Sequence, residues 1–204
     1  MKILRLGSIG PSVQLLQLAL GRAGFGPVAT DGIFGTATQY ALRRFQQANS
    51  LQADGTAGPL THRALLPWYT GYLVYSPVRG DTLWSIAQRF GATVNALLLA
   101  NPDTDAQSVI AGGSIIVPLP FDVVPTSIDY SSALTGYCVR GLAARYPFIT
   151  TGEIGKSVMG RPLWSLTLGH GENRVMYSAA HHANEWITLP VLLKFTEELA
   201  KAYA

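Results

Sequence analysis

Apolar positions recur at helical spacing through the first seventy residues and at strand spacing near 72–78 and 114–119, and the two periods alternate after residue 121. In "GPSVQLLQLAL", Pro11 opens a helix with Val13, Leu16 and Leu20 along one side. Tyr40, Ala41, Leu42 and Phe45 give a second helix its apolar faces. "YLVYSPV" and "SIIVPL" read as short strands. Between them Asp81 is the expected N-cap of a helix with Leu83, Ile86, Ala87 and Phe90 inward. Thr93 caps the next helix, which carries Val94, Leu97 and Leu98 and ends at Asn101-Pro102. A helix from Ser131 to about Tyr146 places Leu134, Cys138 and Leu142 on one side, and Pro147 stops it. "ITTGEIGKSV" and "LWSLTLG" are strand-like runs joined by "MGRP", and "RVMYSAA" is a third. A last helix begins near Thr188, with Leu192, Phe195 and Leu199 inward and Glu197 and Lys201 as an outer i,i+4 pair.

The first seventy residues contain a repeat. "DGIFGTATQYAL" begins at Asp31 and "DGTAGPLTHRAL" at Asp54, and both read D-G-x-x-G-x-x-T-x-x-A-L. Asp and Gly supply a turn, and the second Gly precedes a helix. Thr36 is the expected cap of the first helix, and Pro59 the first residue of the second. A calcium loop lacks its regularly spaced acidic ligands here. A DNA-reading helix-turn-helix would need more than Arg43 and Arg44. The blocks "LGSIGPSVQLLQLAL", "DGIFGTATQYALRRFQ" and "ADGTAGPLTHRAL" resemble the three-helix peptidoglycan-binding domain, over about residues 3–67. The resemblance implies binding to the bacterial wall by a domain spanning 1–68. It names no contact residues.

Charge adds a little. Only 13% of residues are charged and 48% are hydrophobic. Residues 1–70 carry six Lys/Arg against two Asp, a net +4. That mild excess suits an anionic wall polymer and is too sparse for nucleic acid. Cys138 is the only cysteine, so no intrachain disulfide forms, and a buried small hydrophobe is its expected role. No apolar run has the length of a membrane span, and "MKILRLGSIG" lacks the apolar region of an ordinary signal peptide.

"LPWYTGY" reads as a linker. Residues 72–120 follow, and "GDTLWSIAQRFG", "LLLANP" and "GGSIIVP" resemble a LysM domain. That family binds N-acetylglucosamine in glycans. Its groove, lying between the loop after the first strand and the loop after the second helix, implies Gly80, Asp81, Thr82 and Leu83 with Asn101 and Pro102 as the glycan-binding set. Asp81 as a cap and Leu83 as core stand as the structural alternative, in which loop backbone alone meets sugar.

"PFDVVPTSIDY" reads as a second linker. Beyond it, His182 and Glu185 in "HHANEWIT" stand at a strand–helix junction with an imidazole and a carboxylate, donors that suit zinc. A bare H-x-x-E is common on protein surfaces. The motif, with "YPF", "IGKSVMGRPLWSLTLG" and "PVLLKFTEEL", resembles the N-terminal part of the zinc carboxypeptidases, over residues 121–204. His182 and Glu185 take the metal-ligand positions. With wall-binding modules alongside, the likeness is to γ-D-glutamyl-meso-diaminopimelate peptidases. That family's second zinc histidine, general-base glutamate and substrate-binding arginines fall further along the chain. His181, if the chain stays extended, points away from His182. His170 lies in a turn, His62 belongs to the first module, and Glu197 and Glu198 sit about three helical turns on.

The expected protein is multidomain α+β. A small three-helix domain precedes a strand–helix–helix–strand LysM-like domain and a truncated α/β zinc carboxypeptidase-like segment. Its partners are peptidoglycan glycan strands and stem peptides, with no nucleic acid and no membrane span. Its cofactor is Zn²⁺ in an incomplete site, with no catalytic residue inside this chain, so the 204 residues alone are expected to be inactive. The alternative is a non-catalytic peptidoglycan-binding protein. The expected location is the cell wall, outside the cell or on spores.

Overall fold

The repeated template is a repeated piece of structure. The computed structural model describes residues 2–26, 28–104, 111–182 and 184–204; positions 105–110, inside the second expected module, lie outside them. In the first unit, helices α1 (Pro11–Arg22), α2 (Thr36–Ala48) and α3 (Pro59–Ala64) follow one another. Asp31 Oδ1 accepts from the Ile33 amide at 2.9 Å, and Asp54 Oδ1 from the Thr56 amide at 2.8 Å, so each aspartate closes its own turn. The glycine after each has a positive φ, 76° at Gly32 and 74° at Gly55, which a side chain would resist.

Each turn is bolted down by a buried glutamine that the template does not contain. Gln17 Nε2 donates to Asp31 Oδ1, Ile33 O and Thr38 Oγ1 at 2.9, 3.0 and 3.1 Å, while its Oε1 accepts from the Gly32 amide at 2.9 Å. Gln46 repeats the pattern with Asp54 Oδ1, Thr56 O, Thr61 Oγ1 and the Gly55 amide, at 3.1, 2.9, 3.2 and 2.9 Å. The template's Thr is thus a network member in both copies. Thr36 does not cap: Gly35 precedes α2 in extended conformation without a side-chain cap, and Thr36 is the helix's first residue. Pro59 does open α3. Val13, Leu16, Leu20, Ala41, Leu42 and Phe45 meet in the core; Tyr40 stays exposed.

"LPWYTGY" does span the boundary between two compact units, which falls between Tyr69 and Thr70, but it is not an irregular linker. It forms a short helix, α4 (Leu66–Thr70), with Tyr69 fully buried and its hydroxyl 2.9 Å from the Nδ1 of buried His62. An aromatic ring that can pack while its OH finds a partner is drawn out of solvent.

Contacts group Thr70–Pro125 and Thr135–Ala204 into a second unit. Strands β1 (Tyr72–Tyr75) and β2 (Ile115–Pro118) pair antiparallel, Tyr72 opposite Pro118. Helices α5 (Leu83–Phe90) and α6 (Val94–Ala100) lie between them in sequence. Leu83, Ile86, Ala87, Leu97, Ile115 and Val117 form the core, with Phe90, Val94 and Leu98 packed partly buried against it. Helix α7 (Ser132–Arg145) buries Leu134, Cys138 and Leu142 as its spacing requires. Strands β3 (Ile149–Lys156) and β4 (Pro162–Leu168) form an antiparallel hairpin with an irregularity between Glu153 and Gly155.

Three expectations in this region change. "PFDVVPTSIDY" is not a free linker, because Val123 and Val124 are buried. "RVMYSAA" forms no strand; Val175, Met176 and Tyr177 are exposed, and an apolar run without a neighbour to pair with has no reason to hold strand geometry. Helix α8 (Thr188–Tyr203) turns its Leu193, Thr196, Glu197 and Ala200 side inward, leaving Phe195 and Leu199 about half exposed. The reason is Glu197. Its carboxylate accepts from the Val123 and Val124 amides at 2.6 and 3.2 Å and from Lys194 Nζ at 3.0 Å, so it is fully buried rather than paired outside with Lys201. Lys201 instead reaches Asp122 and Glu198, at 2.8 and 2.9 Å.

Among the described residues the chain thus has eight helices and two small sheets, and no helix is long and apolar enough to cross a membrane.

Candidate functional site

One carboxylate ties the loop from Ser76 to Thr82 to both β1 and α5. Asp81 Oδ2 accepts from the Tyr75 hydroxyl at 2.6 Å and from the Val78 amide at 2.9 Å, and Arg89 Nη2 pairs with Asp81 Oδ1 at 3.0 Å. Arg89 also donates to the Tyr75 hydroxyl and lies over its ring, 5.5 Å from the centroid. The Tyr75 hydrogen bond, foremost, holds the Asp81 carboxyl below its ordinary pKa, and the Val78 amide adds to the effect. Asp81 is therefore not the helix cap. Thr82 is: its Oγ1 accepts from the Ser85 amide at 3.1 Å, and Ser85 Oγ accepts from the Thr82 amide at 3.0 Å, a complete capping box. Tyr75 at the end of β1 and Arg89 in α5 thus position Asp81, and neither was among the residues the sequence pointed to.

Of the other glycan-binding candidates, Gly80 is exposed with φ +95°. Leu83 is buried in the module core, so what it offers a sugar is backbone. Asn101 Nδ2 donates to Leu97 O and Ile116 O at 2.7 Å each, and its Oδ1 accepts from the Ile116 amide at 2.7 Å. That stitches the end of α6 to β2 and leaves Pro102 exposed beyond it. In the first unit, a shallow groove of about 160 Å³ follows the second repeat, lined by Leu51, Gln52 and Leu60 around Gln46 and Asp54.

The metal candidates stand together. His182 Nδ1 lies 2.9 Å from Glu185 Oε1, both side chains exposed. Two ligands on a tetrahedral zinc stand about 3.3 Å apart, given bonds of roughly 2.0–2.1 Å, so a small opening of this pair fits two coordination positions. Thr188 shapes the loop. Its Oγ1 accepts from the Ala180 amide and donates to Glu185 O, at 2.7 Å in each case. Ala180 has φ +53°, which ends any extended run. His181 accordingly does not point away from His182: the two rings meet edge to face, centroids 5.0 Å apart. Among the described residues the one group of three metal-capable side chains is elsewhere, at Asp122, Glu197 and Glu198. Lys194 and Lys201 already pair with all three carboxylates. His170 is exposed, and His62 is buried between the Tyr69 hydroxyl and the Lys2 carbonyl.

Comparison with known proteins places three families along the chain in order. Residues 9–65 match the peptidoglycan binding domain family, 78–118 the LysM domain, and 137–204 the zinc carboxypeptidase family, the last over part of its length. The chain is similar to the uncharacterized protein YqgT of Bacillus subtilis, 51% identical over 55 residues, covering 26% of this chain and 15% of that one. It is 37% identical over 70 residues to gamma-D-glutamyl-L-diamino acid endopeptidase 1 of Lysinibacillus sphaericus, covering 34% and 17%. It is 38% identical over 65 residues to a spore cortex-lytic enzyme of Bacillus cereus, covering 32% and 25%. The matches thus span a quarter or less of these relatives. The chain carries a peptidoglycan-binding domain, a LysM domain and a partial zinc carboxypeptidase-like region.

Proposed function

We propose that this chain anchors a zinc peptidase to bacterial peptidoglycan, and that the peptidase acts on the stem peptides, at a γ-D-glutamyl–diaminopimelate type of bond. The observation that carries the reading is the order of three family matches on one chain: two wall-affine modules, then a segment with paired zinc donors. The likeness to the Lysinibacillus endopeptidase supports the choice of bond. The glycan-binding set is Gly80, Asp81, Thr82, Leu83, Asn101 and Pro102, with Leu83 contributing backbone. The domains are those of residues 1–68, 72–120 and 121–204.

His182 and Glu185 would hold the metal through an imidazole nitrogen and a carboxylate oxygen. Zinc, when bound, supplies a Lewis acid for the scissile carbonyl and a water acidified toward neutrality. Thr188 fixes the loop so that both donors share one side. The wall, or the spore cortex, is where such a protein works.

A second reading, glycan binding without catalysis, is favoured by one observation. Among the described residues no third metal-capable side chain joins His182 and Glu185, whereas a catalytic zinc takes three protein ligands. Zinc uptake that depends on His182 and Glu185 separates the possibilities, since the first reading requires it and the second does not; two further assays test binding and cleavage. Sedimentation with purified peptidoglycan tests what both share, and no retention ends both. Zinc-supplemented digestion of peptidoglycan, with released peptides identified by mass spectrometry, tests the rest. The 204 residues are expected to bind and not to cleave.

A further inference from the structure

Arg145, the last residue of α7, directs its guanidinium at backbone. Nε donates to Gly71 O at 3.0 Å, Nη1 to Phe121 O at 2.7 Å and Nη2 to Leu119 O. Gly71 immediately precedes β1, Leu119 immediately follows β2, and Phe121 comes two residues later. The Leu119 amide itself donates to Gly71 O at 2.9 Å. Arg145 therefore grips the end of the strand pair where β1 begins and β2 finishes, from a helix of the carboxypeptidase-like segment.

One turn earlier, α7 runs directly against that backbone. A Cβ on Gly141 would come within 2.6 Å of Val123 Cγ1 and nearer still to Thr70 O. From the other side, Glu197 of α8 holds the Val123 and Val124 amides. The connection between module and segment is thus buried at Val123 and Val124, and a cation and an anion are spread over five backbone groups, four in or beside it and one at Gly71. Burying such charges is tolerated only where their hydrogen-bonding capacity is met. A flexible tether offers no such geometry.

We propose that Arg145, Gly141 and Glu197 weld the LysM module and the metal-bearing segment into one rigid body, so that the sugar held by the module selects which stem peptides reach His182 and Glu185. This rests on the function proposed above. Selection by position on the glycan strand then belongs to the fold, where a tethered module would set only a maximum reach. Arg145 is a positioning residue; its planar fork meets three separated carbonyls from three different nitrogens, whereas a lysine's donors all radiate from one nitrogen.

Backbone ¹⁵N relaxation of the purified 204-residue protein tests the weld. Amides of β1, α5, α6 and β2 should share one rotational correlation time with those of α7, β3, β4 and α8. Two separate values in the wild-type protein would overturn the proposal without any variant. Arg145→Gln and Arg145→Lys should each split the single value in two while the dispersed resonances of both parts persist. Persistence of one value in both variants would equally count against Arg145. Titration with a disaccharide muropeptide carrying its stem should shift Gly80–Thr82 and His182 together in the wild type, and uncouple the two responses in Arg145→Gln. No shift at Gly80–Thr82 would remove the glycan reading itself, an outcome distinct from separate tumbling.

Discussion

Gln17 on α1 and Gln46 on α2 occupy equivalent places in two copies of one network. Each donates to an aspartate, a carbonyl and a threonine hydroxyl, and accepts from the amide of a left-handed glycine. Both side chains are buried, and so are the threonine and the glycine of each network, whereas Asp31 and Asp54 are exposed and can turn to water. Gln17→Leu and Gln46→Leu should each destabilise the first unit by about 1–3 kcal/mol, the range for stranding buried polar groups, here the threonine hydroxyl and the glycine amide. Chemical denaturation followed by a first-unit fluorescence probe would measure it. Equivalence also predicts losses of similar size, and a loss confined to one of the two would contradict it.

Two glycines in helices should respond in opposite senses to alanine. Gly21 in α1 has open space around the position of a Cβ, whereas at Gly141 that atom would drive into the Thr70–Gly71 backbone. Gly21→Ala should stabilise by roughly 0.5–1 kcal/mol. Gly141→Ala should destabilise by at least about 1–3 kcal/mol, because backbone cannot step aside. Thermal melts of the two variants decide it, and equal shifts would refute the packing of α7.

Acid should weaken the second unit through Asp122. Burial raises its carboxyl, but hydrogen bonds from Lys194 and Lys201, with their charges, outweigh burial and bring the pKa down from 3.8 to about 2. A depressed folded-state pKa stabilises the fold above the unfolded value and loses that contribution as pH falls toward the folded one. Stability from this cluster should be complete above about pH 4 and fade between pH 4 and 2. Urea midpoints taken across that window should show the slope, and Asp122→Asn should flatten it. An unchanged slope in that variant would assign acid sensitivity elsewhere.

Zinc uptake should follow His182 and Glu185 and ignore the acidic trio. Competition with a chromophoric chelator should show His182→Ala and Glu185→Gln weakening zinc binding by about tenfold or more. Glu198→Gln should leave it unchanged, since Lys194 and Lys201 occupy that cluster. The reverse pattern would move the candidate metal site to Asp122, Glu197 and Glu198.

The sequence by itself determined the local elements. Apolar period located α1, α2, α5, α6 and α7, the strands β1 and β2, the β3–β4 hairpin and the doubled D-G-x-x-G-x-x-T turn, because each depends on residues close together in the chain, whereas the pairing of Tyr72 with Pro118 spans the module. It also brought His182 beside Glu185, three residues away. What only the tertiary structure decided is where polar groups go when they are buried. Gln17 and Gln46 sit 14 and 8 residues before their aspartates, so no fixed template contains them. Asp81 left its cap role to Thr82 once Tyr75 and Arg89 offered stronger partners. Glu197 turned α8 away from its apolar stripe because two amides, 73 and 74 residues distant, needed an acceptor. Arg145 made a linker into an interface in the same way. Hydrophobic spacing reports which face of an element can be buried; the unmet hydrogen bonds of distant backbone decide which face is.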